Sequence, residues 1–176
     1  MIMDKRVVYR MIEEVRQQCH FAQATFQSLR MRINDPDHEK VFLEVHAFLG
    51  HSVMLSRMLW PARAESTARG ELLRAELKVA ADSPLRMGGS REQIERFDEV
   101  YEDWLLTLPE AGYVDMNLMP SGTMLGSRED VFQRNLDPDT LLFQFRGVPM
   151  DLRRLSDAVR GLDGLVQQWL RTNNPW

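Results

Sequence analysis

The chain has 176 residues, of which 44% are hydrophobic and 27% charged, and its formal net charge is -4. This composition excludes a disordered chain, and no stretch reaches the roughly 20 apolar residues that a membrane span needs. The small acidic excess disfavours constitutive binding to long nucleic acid. We therefore expect a single helical domain over 1–176, with no membrane partner and no long-DNA partner.

The only cysteine, Cys19, cannot form an intramolecular disulfide, which is usual for proteins of a reducing compartment. The segment Met1–Ile12 carries several charged side chains and lacks the continuous apolar core of a signal peptide. The sequence therefore predicts a cytoplasmic protein, and its composition is typical of a bacterial one.

Five helices are predicted from apolar residues that recur every three or four positions. Their predicted spans are Asp4–Met31, Asp37–Leu59, Glu65–Val79, Ser90–Leu108 and a last helix that begins near Asp151. Asp4 is expected to cap the first helix, and Ser90 with Gln93 fits a capping box at the start of the fourth. In the last helix, Gly161 and Gly164 are expected to allow close packing against another helix.

The periodicity changes after the fourth helix. Residues of Tyr113–Leu118 alternate loosely, which favours a half-buried strand. Val131–Leu136 and Leu141–Arg146 flank Asp137–Thr140, which indicates a β-hairpin with a four-residue loop. The predicted fold class is therefore mainly α: a bundle of about five helices with a small antiparallel β-hairpin or three-stranded sheet in the second half.

Motifs of metal sites, nucleophilic catalysis and phosphate-binding loops are absent from the sequence, including HExxH, CxxC, GxSxG and GxGxxG. His46 and His51 lie on the predicted second helix, about 140° apart around its axis, so a shared metal ion is not expected. The acidic residues of the fourth helix occupy its polar face, where solvated carboxylates are usual. The sequence therefore predicts no metal and no cofactor, and it leaves the catalytic residues unknown.

A short pattern connects three of the predicted helices. It consists of Ser56-Arg57-Met58-Leu59-Trp60, Arg69-Gly70 with Leu73-Arg74, and Arg91-Glu92-Gln93-Ile94-Glu95-Arg96-Phe97-Asp98-Glu99. The arrangement resembles a bacterial branch of the HEPN superfamily of helical bundles, in which a segment similar to R-N-x-x-E-H-x-D-E-R lies near the start of a helix. The resemblance covers roughly Phe42 to Leu108. Many HEPN proteins are metal-independent ribonucleases of toxin–antitoxin and phage-defence systems, and their Arg-x4-6-His signature lies at a dimer interface.

The sequence departs from that signature at one position. Arg91 matches the family arginine and Glu95 a flanking position, but Arg96 stands where the family has its histidine. An arginine stays protonated, so it cannot act as a general base. Arg91 and Arg96, with Glu95, are therefore the candidate anion-binding or RNA-binding residues, although the two arginines can equally pair with Glu92, Glu95 or a partner chain.

The resemblance implies a HEPN-like binding or regulatory module that has lost nuclease activity, forms a homodimer, and has an antitoxin or RNA as its partner. Two alternatives stay open at this point. One is an active metal-independent ribonuclease that uses another base. The other is a structural or protein-interaction domain unrelated to the HEPN superfamily.

Overall fold

The computed structural model describes residues 4–110, 112–120 and 131–174. Within these residues the chain forms six α-helices, which are α1 (Lys5–Arg32), α2 (His38–Leu59), α3 (Thr67–Glu76), α4 (Gly88–Glu95), α5 (Phe97–Thr107) and α6 (Leu152–Thr172). The predicted mainly α class is confirmed. The chain has one helix more than predicted because the expected fourth helix is divided into α4 and α5.

The first helix, α1, packs against both α2 and α6, and α2 also packs against α3 and α4. The predicted apolar stripe of α1 is buried along its length, and Cys19 within it is inaccessible to solvent. Burial raises the pKa of the Cys19 thiol, as expected for an inert core cysteine. The predicted cap is also confirmed, because the Asp4 carboxylate accepts a hydrogen bond of 2.7 Å from the backbone N–H of Arg6.

The predicted third helix is too long at both ends. Residues Ala64–Ser66 form a 3-10 turn, and α3 begins only at Thr67. At the other end the chain leaves the helix after Glu76, and Lys78 adopts a positive φ of 54°. A left-handed residue cannot continue a right-handed helix, which explains the early end.

The predicted capping box at Ser90 and Gln93 is wrong. The helix begins two residues earlier, at Gly88, after Met87 turns the chain with a φ of 58°. Ser90 therefore lies inside the first turn. The Gln93 side chain accepts a hydrogen bond from Arg146, a residue 53 positions away, and this contact replaces the local cap.

The helix then breaks at Arg96, whose φ and ψ are -117° and 46°. Neither helix beside the break is deeply buried, and α4 has no buried residue. In α5 only Trp104 is buried, whereas the neighbouring Leu105 and Leu106 are 40% and 81% exposed. Hence α5 buries far less of its surface than α1, α2 and α6.

Four strands, β1 (Asn117–Leu118), β2 (Arg134–Leu136), β3 (Leu142–Phe145) and β4 (Val148–Asp151), form one sheet in the order β1-β2-β3-β4. The predicted hairpin is confirmed as the antiparallel pair β2–β3. The sheet as a whole is mixed, because β1 pairs with β2 in parallel, a pairing that was not predicted. Parallel pairing requires a crossover connection, which loose alternation in a sequence does not reveal.

The fourth strand was not predicted. A two-residue loop joins β3 to β4, and both of its residues, Arg146 and Gly147, have positive φ angles of 51° and 79°. These angles are typical of a type I′ hairpin turn, where Asn-Gly is the usual sequence signal. An arginine at the first position carries no such signal.

The last helix follows β4 directly, and the Asp151 carboxylate caps it by accepting a 2.8 Å hydrogen bond from the Arg154 N–H. The packing role expected for Gly161 and Gly164 is wrong. Both are exposed, and a Cβ added at either would meet no described atom within 4 Å. Among the helices in the described ranges, none combines the length and the apolar character required to cross a membrane.

Candidate functional site

Arg91 projects from α4 across the carboxyl end of α2. Its Nη1 donates a 2.6 Å hydrogen bond to the Trp60 carbonyl and lies 3.4 Å from the Ser56 hydroxyl. Its Nε lies 2.8 Å from a carboxylate oxygen of Glu95, and the side chain is only 11% exposed. The predicted family arginine therefore holds α4 against the end of α2.

Two further arginines bind the same helix end. The Arg57 carbonyl accepts a 3.2 Å hydrogen bond from an α3 guanidinium, and the Leu59 carbonyl accepts one from a second. We call the three donors the arginine cap: Arg69, Arg74 and Arg91. The last carbonyls of a helix have no partner within the helix and form the negative end of its dipole. The arginine cap therefore satisfies and neutralises the end of α2.

Glu95 lies between two guanidinium groups. One of its carboxylate oxygens faces Arg91, and the other lies 3.3 Å from Nη1 of Arg57. Glu95 is 19% exposed, so solvent screens these pairs only in part. The carboxylate thus joins α4 to α2 and extends the contacts of the arginine cap.

Arg96, at the helix break, has different partners. Its Nη1 lies 2.6 Å from Glu92, and its Nε donates to Glu99. These hydrogen bonds, the one to Glu99 first, raise the pKa of Arg96, whose side chain is 56% exposed. The structure therefore brings Arg91 and Glu95 together and directs Arg96 to separate acidic partners. RNA binding by these three residues stays a prediction.

A second group of polar side chains lies where α2 meets the sheet. Arg134 of β2 donates from Nε to Nε2 of His46 at 2.9 Å and from Nη1 to Asp115 at 2.6 Å. The Tyr113 hydroxyl contacts the Gln133 side chain beside them. We call this group the Arg134 cluster: His46, Tyr113, Asp115, Gln133 and Arg134.

Apart from Tyr113, which is half exposed, the cluster is largely withdrawn from solvent. Gln133 is 3% exposed, and the side chains of Arg134 and Asp115 are 15% and 20% exposed. With its amide nitrogen directed toward Asp115, Gln133 donates to Oδ2 at 3.1 Å while its oxygen accepts from Arg134 Nη2 at 3.1 Å. Each polar group thus binds its neighbours, as buried polar networks require.

His46 is held neutral in this surrounding. Burial first, and then the charge of Arg134, lower its pKa from 6.5 to about 4. Because Nε2 accepts the hydrogen bond from Arg134, the ring proton belongs on Nδ1 at neutral pH. His46 therefore adds no charge to the cluster above pH 5.

We expect the protein to lose stability between pH 6.5 and pH 4, because the unfolded chain takes up a proton at His46 that the folded chain refuses. The folded pKa is depressed to about 4, so this single group should cost about 2–3 kcal/mol of unfolding free energy by pH 4.5. Urea titrations at pH 7 and 4.5 measure the loss. In His46→Gln the loss of unfolding free energy between pH 7 and pH 4.5 should be smaller by that amount. A loss as large as that of the wild type would contradict the prediction.

Another arginine, Arg146, lies in the two-residue loop that joins β3 to β4. It is 6% exposed, and its guanidinium carbon lies 4.0 Å from the ring centroid of Phe145 and 5.0 Å from that of Phe97. Nε and Nη2 donate to the side chain and the carbonyl of Gln93 at 3.0 and 2.8 Å. Nη1 is buried and has no acceptor among the described atoms.

No carboxylate pairs with Arg146 within the described part of the chain. Burial, and then repulsion by Arg134, lower its pKa to about 10, so the guanidinium still carries its charge at neutral pH. The cation rests on aromatic faces, which offset part of its lost hydration.

Aromatic rings continue from Arg146 toward the surface. The ring centroids of Phe97 and Tyr101 are 5.7 Å apart, those of Tyr101 and Trp104 are 6.0 Å apart, and those of Trp104 and Tyr113 are also 6.0 Å apart. Phe97 is 39% exposed and Tyr113 50% exposed, so both ends of this series are open to solvent. We call these four residues the ring series.

Comparison of the chain with protein-family models, with curated proteins and with solved structures finds no match. Site residues are therefore assigned from geometry alone. Among the residues that the structure describes, no group of three or more His, Cys, Asp and Glu side chains is placed to hold a metal ion.

Most of this second site has no signal in the sequence. His46 suggests only a metal ligand there, and Asp115, Arg134 and Arg146 belong to no recognised motif. Arg146 carried one usable signal, because it precedes Gly147 after the apolar alternation of β3, which is a position where a turn begins. The pairing of Arg134 with His46 joins residues 88 positions apart and has no local signal.

Proposed function

We propose that this protein is a non-catalytic, HEPN-like binding module of the bacterial cytoplasm, acting in a toxin–antitoxin or defence setting. The observation that carries the proposal is Arg96, which occupies the position of the histidine in the Arg-x4-6-His signature. The expected partners are a second copy of the chain and an antitoxin protein or an RNA.

The chemistry of RNA cleavage supports a non-catalytic role. Without a metal ion, cleavage needs a group that removes a proton from the attacking hydroxyl, and a permanently protonated guanidinium cannot do so. Arg96 is paired with two acids, and Arg91 is bound to the end of α2. Neither arginine is free to bind a transition-state phosphate without first giving up these partners.

The active ribonuclease remains a second candidate because of one side chain. His46 is a neutral imidazole beside Arg134, and a base next to a cation is an arrangement that ribonuclease chemistry can use. Against it, Nε2 already accepts the Arg134 hydrogen bond, so the basic lone pair is occupied.

The test is RNA cleavage by purified protein on a mixed-sequence single-stranded RNA. We expect the wild type, Arg91→Lys and His46→Gln to show the same background, with Arg171→Gln as a surface control on α6. Lysine at 91 keeps a positive charge, so it spares more of the fold than alanine. Cleavage by the wild type that falls tenfold or more in a folded Arg91→Lys or His46→Gln protein would overturn the proposal.

A further inference from the structure

We infer that Arg146 and the ring series form a binding site for a small planar anion, an aromatic ring that carries a phosphate or carboxylate group. The site uses other residues than Arg91, Glu95 and Arg96. It therefore goes beyond the proposed function and does not depend on any relation to HEPN proteins.

Charge is the first reason. Two guanidiniums, Arg134 and Arg146, are largely buried here, and the carboxylate of Asp115 pairs with Arg134 alone among them. His46 is neutral, so one positive charge stays without a counter-ion. Burying an unpaired charge is costly, and replacement by an apolar side chain is often neutral or stabilising. An anion bound beside Arg146 removes this cost.

The second reason is a buried hydrogen-bond donor of Arg146 that has no acceptor. Arg146 is more than nine-tenths buried, and its Nη1 has no acceptor while the other two nitrogens are satisfied by Gln93. Buried donors without partners are rare in folded proteins. Arg146 is also held at a φ of 51°, which is strained for a side chain of its size. The fold thus fixes the position of a charged donor, Nη1 of Arg146, that has no hydrogen-bond acceptor among the described atoms.

The aromatic rings beside Arg146 indicate that the ligand also carries a planar ring. Phe97 and Tyr101 lie over the Arg146 guanidinium, with centroids 5.0 and 5.8 Å from its carbon. Exposed aromatic faces bind flat ring systems by stacking. A ligand whose anionic group reaches Arg146 would place an attached ring against Phe97 or Tyr113.

Neighbouring charges limit the size of the ligand. The charged residues of α5 are all acidic, and they are Asp98, Glu99, Glu102 and Asp103. These carboxylates repel an extended polyanion such as a long RNA but affect a single anionic group much less. The site therefore fits a small molecule.

Access to Arg146 follows from the loose attachment of α5. The rings of Phe97 and Tyr101 belong to this helix, which buries only Trp104 and begins at the break after Glu95. Segments with few buried contacts open locally at low free energy. A movement of α5 would open a gap between these two rings and the Arg146 guanidinium, and a planar anion could enter that gap.

The experiment is isothermal titration of the full chain with four small ligands: adenosine 5′-monophosphate, uridine 5′-monophosphate, benzoate and indole-3-acetate. Adenosine, inorganic phosphate and acetate serve as ligand controls. We expect at least one planar anion to bind more tightly than its uncharged or non-aromatic control. Binding by the nucleotides alone assigns a phosphate, and binding by the two acids alone assigns a carboxylate.

Variants locate the binding. Arg146→Gln should weaken it tenfold or more, Phe97→Leu about threefold, and Arg171→Gln not at all. If Arg146→Gln does not fold by circular dichroism, Phe97→Leu and Tyr113→Leu carry the test at two exposed rings. No saturable binding of any planar anion up to about 10 mM, or equal binding to wild type and ring variants, overturns the inference. The ribonuclease assay does not involve Arg146, so the two proposals fail separately.

Discussion

Replacing Arg91 with alanine is expected to lower the free energy of unfolding by about 2–4 kcal/mol. The substitution removes the 2.6 Å hydrogen bond to the Trp60 carbonyl and one of the two guanidiniums that face Glu95. Both partners are then left poorly solvated, and an unsatisfied buried group costs more than the bond itself contributed. Urea denaturation followed by circular dichroism measures the effect.

Arg96→Ala is the matched control, since it removes a guanidinium only five residues away. Arg96 is 56% exposed and pairs with exposed acids, so its loss should change stability little. Equal destabilisation by the two substitutions would show that Arg91 does not hold the end of α2. A large effect of Arg91→Ala also means that loss of any activity in that variant reports unfolding, which is why lysine is the better substitution for functional work.

Part of the pattern that carries the HEPN resemblance meets at one place in the fold, whereas Arg96 lies outside it. The turn at Trp60, the arginines of α3 and Arg91 of α4 all contact the carboxyl end of α2. In this chain the pattern therefore describes a junction of three helices. The contacts of that junction are hydrogen bonds to backbone carbonyls, so they need no histidine and no base.

The helices were predictable from the sequence because their signals are local. The three- and four-residue spacing in α1, α2 and α6 is the spacing of their buried faces, and Asp4 is a cap within two residues of its partner. The hairpin β2–β3 was predictable for a similar reason. Its loop is ordered by Asp137, whose side chain accepts hydrogen bonds from Asp139 and Thr140.

The features that were not predicted depend on contacts between distant residues. Ser90 and Gln93 have the sequence of a capping box, but the Gln93 side chain accepts a hydrogen bond from Arg146, and the helix begins at Gly88. The Arg134 cluster joins α2, β2 and the segment before β1. No periodicity or spacing signals such a cluster, because its members share a position only after the sheet has packed on α2.

Gly70→Ala is expected to destabilise the protein by about 2–4 kcal/mol, although alanine is the better helix former. Gly70 is buried in α3, and a Cβ there would lie 2.7 Å from the Leu59 carbonyl oxygen and against the ring of Pro61. Neither a backbone oxygen nor a proline ring can rotate away to relieve the clash, as a flexible side chain could. The clash would therefore separate α3 from the end of α2, where Arg74 donates to the same carbonyl.

Gly50→Ala provides the comparison, because Gly50 also lies inside a helix but a Cβ at this position meets no atom within 4 Å. That variant should gain up to about 1 kcal/mol from helix propensity alone. Thermal unfolding of both variants measures the two changes in stability, and we expect Gly70→Ala to unfold at a lower temperature than the wild type and Gly50→Ala at a higher one. A stabilised Gly70→Ala protein would mean that α3 does not approach Leu59 and Pro61 closely, and the arginine cap would then lose its geometric basis.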